Sequence, residues 1–146
     1  MIVNKKNEIE VLKDIQKNTE KAMKAIDVIS SKVYDDDLAL QLSRQALKYS
    51  DIHNKAVDMI LEERAMPYAV NNVQDIMLSG SIHLNTVLNN STSHVAQLVI
   101  RETHHELTDM WKSVNHHVEV GSKSMEIAKE LMDFEEKNIE ILKKYL

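Results

Sequence analysis

Residues 66–81 read MPYAVNNVQDIMLSGS, and this stretch decides the fold. It holds the chain's only proline, Pro67, and one of its two glycines, Gly80. On either side of it, apolar residues recur at intervals of three and four with hardly any helix-breaking residue, which is typical of long amphipathic α-helices. The sequence therefore predicts two helical hairpins joined by one long connection.

Composition narrows the class of protein. The 146 residues fit one domain, 1–146, and the scarcity of glycine, proline and aromatic residues (4%) disfavours a sheet protein. A net charge of −5, with basic and acidic residues interleaved, predicts no nucleic-acid partner. The absence of cysteine excludes thiol catalysis and iron–sulfur ligation. No apolar run reaches the ~20 residues of a membrane span, and none of signal-peptide length opens the chain, so we expect no membrane partner and a cytoplasmic protein.

The first hairpin is predicted from two helical segments around an acidic turn. They cover about residues 5–32 and about residues 38–64. Between them, Asp35, Asp36 and Asp37 offer an N-cap and place negative charge at the positive end of the second helix dipole. A short turn between long amphipathic helices predicts an antiparallel pair. The apolar lines are Leu12, Ile15, Ala22, Met23, Ile26 and Val33, then Leu38, Leu42, Tyr49, Ile52, Ala56 and Ile60.

The second hairpin follows residues 89–93, a run of Asn, Ser and Thr that favours caps and turns. A third helix is predicted over about residues 92–117, and Gly121 lies close to the turn before a fourth helix that runs to the C-terminus. Residues 73–88 also keep a helical period, so we expect the connection to be partly helical and packed.

This layout resembles the ferritin-like superfamily of four-helix bundles. Residues 131–140, LMDFEEKNIE, are similar to the last helix of uncharacterised bacterial proteins that keep this bundle without a full metal motif. The resemblance implies an all-α, ferritin-like antiparallel four-helix bundle with a long, partly helical crossover between the second and third helices.

A ferritin-like di-iron site takes a Glu from each of two helices and a Glu-x-x-His from each of the other two, all pointing inward. One such spacing occurs, from Glu102 to His105. At about 100° per residue, however, it belongs to a stripe that points away from the apolar line of its helix. That stripe is Glu102, His105, Asp109 and His116.

The other three helices depart further from the motif. The middle of the first helix offers Thr19, and Ser50 stands three residues before His53. Asn138 stands three residues after Glu135, and an amide is a poor substitute for imidazole on iron or zinc. The sequence therefore predicts an incomplete di-iron motif and no resident cofactor.

Two other sets of residues are candidate metal ligands. At a rise of about 1.5 Å per residue, His53 and Glu106 come roughly level, with Glu135 a turn or two away. These three residues form a degenerate ligand set for iron, manganese or zinc, or else a hydrogen-bonded group in the core, with Tyr49 beside it. On the surface, His105 pairs with Asp109 and His116 with Glu119, as weak metal ligands or as an ordinary polar face.

Some apolar residues lie off the predicted core lines at heptad spacing. Each helix of a four-helix bundle needs one apolar stripe that faces the core. A second apolar stripe must therefore be covered by another part of the chain or by a partner. We therefore predict a homodimer or another protein partner. The interface candidates are Leu40, Leu47 and Leu61 on the second helix, Trp111 on the third, and Met125, Met132 and Ile139 on the fourth.

These features favour a non-catalytic protein of assembly or protein interaction over an enzyme. The alternative is a metal-binding or di-iron ferritin-like protein with a degenerate ligand set.

Overall fold

The computed structural model describes residues 2–69 and 89–146. Within them lie four α-helices, α1 (Lys5–Ser30), α2 (Asp36–Glu62), α3 (Thr92–His116) and α4 (Ser122–Leu142), and a 3₁₀ turn over Lys143–Tyr145. The helices begin and end close to the predicted bounds. The partly helical connection predicted over residues 73–88, with Gly80, lies outside the described residues.

Short polar side chains start three of the helices. The side chain of Asn4 accepts from the Asn7 amide at 3.1 Å, and Asp35 Oδ1 accepts from the Leu38 amide at 2.8 Å. Ser91 Oγ accepts from the amide of His94 at 3.3 Å. Each contact satisfies an amide that has no partner within its own helix. The acidic turn therefore caps α2 as predicted.

The two hairpin turns lie at opposite ends of the bundle. At one end, the Asn4 amide donates to the carbonyl of Glu119 at 2.8 Å, which joins the start of α1 to the turn after α3. At the other end, the Tyr145 hydroxyl donates to Asp37, which joins the end of α4 to the start of α2. Helices α1 and α3 are therefore antiparallel, and so are α2 and α4.

The residues that flank the long connection also lie at opposite ends. Glu63, just after α2, pairs with Lys5 at 3.1 Å. Asn90, just before α3, donates to the Tyr34 hydroxyl at 3.4 Å, beside the first hairpin turn. Helices α2 and α3 therefore run parallel, and the predicted crossover topology is the one observed.

Gly121 makes a close approach possible at the second turn. A Cβ at this position would lie 2.5 Å from Oε1 of Glu8, whose carboxylate also accepts from Ser124 Oγ at 2.7 Å. The buried Glu8 thus lies at the positive N-terminal end of α4, where a carboxylate is favourable.

The core contains most of the predicted apolar lines, including Leu12, Ile15, Leu42 and Ile52. The stripe predicted on the back of α4 is wrong, because Met132 and Ile139 are buried in this same core and Met125 packs against it. The physical reason is that α4 contacts α1 and α2 as well as α3, so it buries a wide apolar arc.

The outer face of α2 differs from that of α4. Leu40, Leu47 and Leu61 are 50%, 73% and 54% exposed, and Trp111 on α3 is half exposed. We call the three leucines the outer leucine stripe. None of the described helices is long and apolar enough to cross a membrane.

Candidate functional site

Each of the four helices contributes one buried side chain to a polar layer in the middle of the bundle. The side chains are Asn18, Tyr49, Glu106 and Glu135, and we call them the central polar layer. Glu135 is fully buried; its Oε1 accepts from Asn18 Nδ2 at 2.9 Å and its Oε2 accepts from the Tyr49 hydroxyl at 3.1 Å. Asn18 Nδ2 also donates to the backbone carbonyl of Glu106 at 3.2 Å. One amide of α1 thus links α3 to α4.

Burial sets the protonation of the two carboxyl groups. Loss of solvation raises the pKa of Glu135 to about 8, against the opposing hydrogen bonds from Asn18 and Tyr49. Loss of solvation likewise raises the pKa of Glu106 to about 7, against the opposing charge of Lys21. Burial and the nearby Glu135 also raise the pKa of Tyr49 well above its ordinary value. Burial therefore favours the protonated form of both carboxyl groups.

A small cavity adjoins the layer. Its volume is about 30 Å³, room for about one water molecule, and Glu106, Glu135, Tyr49 and Gln45 are among its lining residues. Within the described part of the chain, Gln45 Nε2, Asn138 Nδ2 and Asn18 Oδ1 are buried without a hydrogen-bond partner.

The structure gives His53 a different partner from the predicted one. Its Nε2 lies 3.0 Å from Oε1 of Glu20 on α1, and Gln16 Nε2 donates to the same oxygen at 3.1 Å. Gln16 in turn bonds to both backbone groups of Tyr68. His53 therefore belongs to a polar group between α1 and α2, while Glu106 and Glu135 line the cavity.

The central polar layer holds few of the six ligands that a di-iron site requires. Glu106 and Glu135 are carboxylates, but α1 contributes an amide and α2 a phenol. The residue three after Tyr49 is Ile52, and the residue three after Glu135 is Asn138. Neither position that would complete a Glu-x-x-His motif at this level carries an imidazole.

A second group of possible ligands lies on α3. His105 Nε2 and Asp109 Oδ2 are 3.6 Å apart, and one ligand atom from each of His105, Glu106 and Asp109 lies within 4.8 Å of the other two. The structure thus joins a member of the predicted core set, Glu106, to the predicted surface pair. His116 points its Nδ1 to the carbonyl of Lys112 at 2.7 Å, and Glu119 lies in the turn with a φ of 59°.

Comparison with known proteins identifies the fold. No protein-family model matches the sequence, and no curated protein matches it. Among solved structures, it is similar to the bacterioferritin-related protein of Bacteroides fragilis, described as a dodecameric thioferritin. The TM-score is 0.67 at 15% identity, over 98% of this chain and 86% of the other. The chain therefore has the ferritin-like, all-α four-helix-bundle fold.

Proposed function

We propose that this protein is a non-catalytic helical bundle that acts through association, with copies of itself or with a protein partner, and that it has no intact di-iron centre. The observation that carries the proposal is the composition of the central polar layer. Two carboxylates stand where a di-iron site needs six ligands, and Glu135 is already bonded to Asn18 and Tyr49.

The hydrogen bonds of Glu135 also oppose metal binding. Its two carboxylate oxygens accept from Asn18 Nδ2 and from the Tyr49 hydroxyl. A cation here would have to displace both of these hydrogen bonds. In this arrangement the layer acts as a hydrogen-bonded spacer that fixes the relative heights of the helices.

The outer leucine stripe supports the association half of the proposal. Leu40, Leu47 and Leu61 repeat at heptad spacing on one exposed face of α2. Burying a leucine side chain that is otherwise exposed contributes roughly 1.5–3 kcal/mol, so a contact that covers this stripe has a substantial driving force. The similar solved protein is described as dodecameric, which supports self-association here too.

Sedimentation equilibrium tests the proposal. We expect the wild-type chain at about 10 µM to have the mass of a dimer or a larger closed oligomer, because homo-oligomers with closed symmetry are the common outcome. If the mass stayed that of one chain up to about 100 µM, the dissociation constant of any oligomer would lie above that concentration. This result would contradict self-association as the mode of action.

The alternative function is metal binding by His53, Glu106 and Glu135. It draws support from the two carboxylates that line one cavity, but His53 bonds to Glu20 instead. The candidates differ in metal content. The alternative requires iron, manganese or zinc that is lost in His53→Ala alone, a variant that leaves His105, Glu106 and Asp109 unchanged.

A further inference from the structure

Three ligand-type side chains meet on the flank of α3, and all three are on a single helix. His105 and Asp109 are four residues apart, so they share a face, and Glu106 lies between them. One imidazole nitrogen and two carboxylate oxygens lie within 4.8 Å of one another. A cation could therefore be bound without any movement of one helix against another.

Glu106 is the unusual member of this cluster. It is only 6% exposed, and within the described residues its carboxylate has no hydrogen-bond donor; the nearest cation, Lys21 Nζ, lies 3.8 Å from Oε1. A buried carboxylate is ordinarily paired and hydrogen-bonded, because its lost hydration is otherwise uncompensated. Lys21 is 39% exposed and its contact with Oε1 of Glu106 is longer than a hydrogen bond, so this lysine can be displaced by a cation that binds more closely.

We propose that His105, Glu106 and Asp109 bind one first-row divalent cation of the zinc type. Three protein ligands leave one tetrahedral position for water, as in open zinc sites. An imidazole ligand selects zinc, cobalt or nickel over magnesium and calcium, which prefer oxygen alone. This is a single ion at the edge of the bundle, independent of the proposed function and of any paired-metal centre.

The site is accessible. The side chains of His105 and Asp109 are 65% and 47% exposed, so the ion reaches them from solvent. Glu106 and Asp109 also line an open groove between α1 and α3. Lys21, 39% exposed, must swing aside, which its flexible side chain allows.

Isothermal titration of the untagged full chain with ZnCl₂ near neutral pH tests the proposal. We expect one saturable equivalent per chain, and His105→Ala should weaken it by at least about tenfold, the smallest loss usual at metal sites. His104→Ala is the matched control, because His104 is exposed and next in sequence but outside the cluster. It should leave the affinity within about twofold, the scatter expected of one non-ligand.

The proposal is overturned if the wild type shows no saturable zinc binding tighter than about 100 µM, the range of adventitious surface contacts. It is also overturned if His104→Ala weakens binding as much as His105→Ala. Two further variants test the other proposed ligands. Asp109→Asn changes an exposed position, and Glu106→Gln keeps the shape of the buried side chain. An unchanged affinity in a variant that circular dichroism shows to be folded would contradict that residue's role.

Discussion

The central polar layer and the outer leucine stripe reverse the usual distribution of side chains in a helical bundle. Inside, Glu106 and Glu135 are buried; outside, Leu47 is 73% exposed. The buried carboxyl group of Glu135 accepts hydrogen bonds from two other helices, while most of the Leu47 side chain is in contact with solvent. The buried polar side chains link the helices of one chain, whereas the exposed leucines form the surface that we propose for association.

The largest expected effect comes from removing the acceptor at the centre of the layer. Glu135→Ala leaves Asn18 Nδ2 and the Tyr49 hydroxyl without their partner and opens a cavity, so we expect a loss of about 3 kcal/mol in the free energy of unfolding. Glu135→Gln keeps the shape and an acceptor, and should cost less than about 1 kcal/mol near pH 7. Urea unfolding measures both. Equal losses would show that the hydrogen bonds of Glu135 do not stabilise the layer.

Stability should fall as the pH rises above neutrality. The folded-state pKa values, about 7 for Glu106 and about 8 for Glu135, lie above the ordinary value of 4.5. Between these limits the folded state binds more protons than the unfolded state, so stability is full below about pH 4.5 and is lost as the pH rises through 7 and 8. We expect the free energy of unfolding to drop by several kcal/mol from about pH 5 to about pH 8.5, with about 6 kcal/mol as the upper limit set by the two pKa shifts together.

Glu135→Gln is the control for this pH dependence. It removes one of the two titrating groups, so the drop should shrink to roughly half. A wild type that gains stability over this range, or a variant with the same drop, would contradict the assignment of the effect to the layer.

A charged substitution tests the role of the outer leucine stripe in association. Leu47→Asp should raise the dissociation constant of the oligomer by at least about tenfold while changing monomer stability by under about 0.5 kcal/mol, because the residue is a surface residue of the isolated chain. Val118→Asp puts the same charge on an exposed valine outside the stripe and is the matched control. Sedimentation equilibrium gives the constants. If Leu47→Asp unfolds the chain, Leu47 is a core residue, and the contrast between a buried polar layer and an exposed leucine stripe is wrong.

The smallest effect is expected from polar residues on the surface. Lys48 and Lys55 both bond to Glu130, at 2.7 Å and 3.1 Å. These pairs are largely solvated, so Lys55→Ala should cost no more than about 0.5 kcal/mol by urea unfolding. A loss comparable to that of Glu135→Ala would remove the distinction between buried and exposed polar contacts.

The spacing of apolar and capping residues along the sequence predicted the helices, their caps and most of the core. All of these features depend on residues that are three or four positions apart. It failed for Met132 and Ile139, because one helix's period does not tell how many neighbours the helix will have. The fourth helix contacts three others, and its apolar arc is correspondingly wide.

The site was less predictable, since its partners come from different helices. Asn18 was missed although it lies three residues after Ile15 and four before Ala22, on the apolar line itself. Gln45 holds the same kind of position between Leu42 and Tyr49. A polar residue at core spacing is the signal that could have found both. No such signal exists for the contact of His53 with Glu20, which depends on side-chain reach across two helices.

Titration with Fe²⁺ without oxygen, followed by exposure to air, tests the absence of a di-iron centre most directly. We expect at most one equivalent of iron per chain, with oxidation no faster than in buffer, because the layer lacks the six ligands. Two equivalents per chain with accelerated oxidation, both lost in Glu135→Gln, would contradict it.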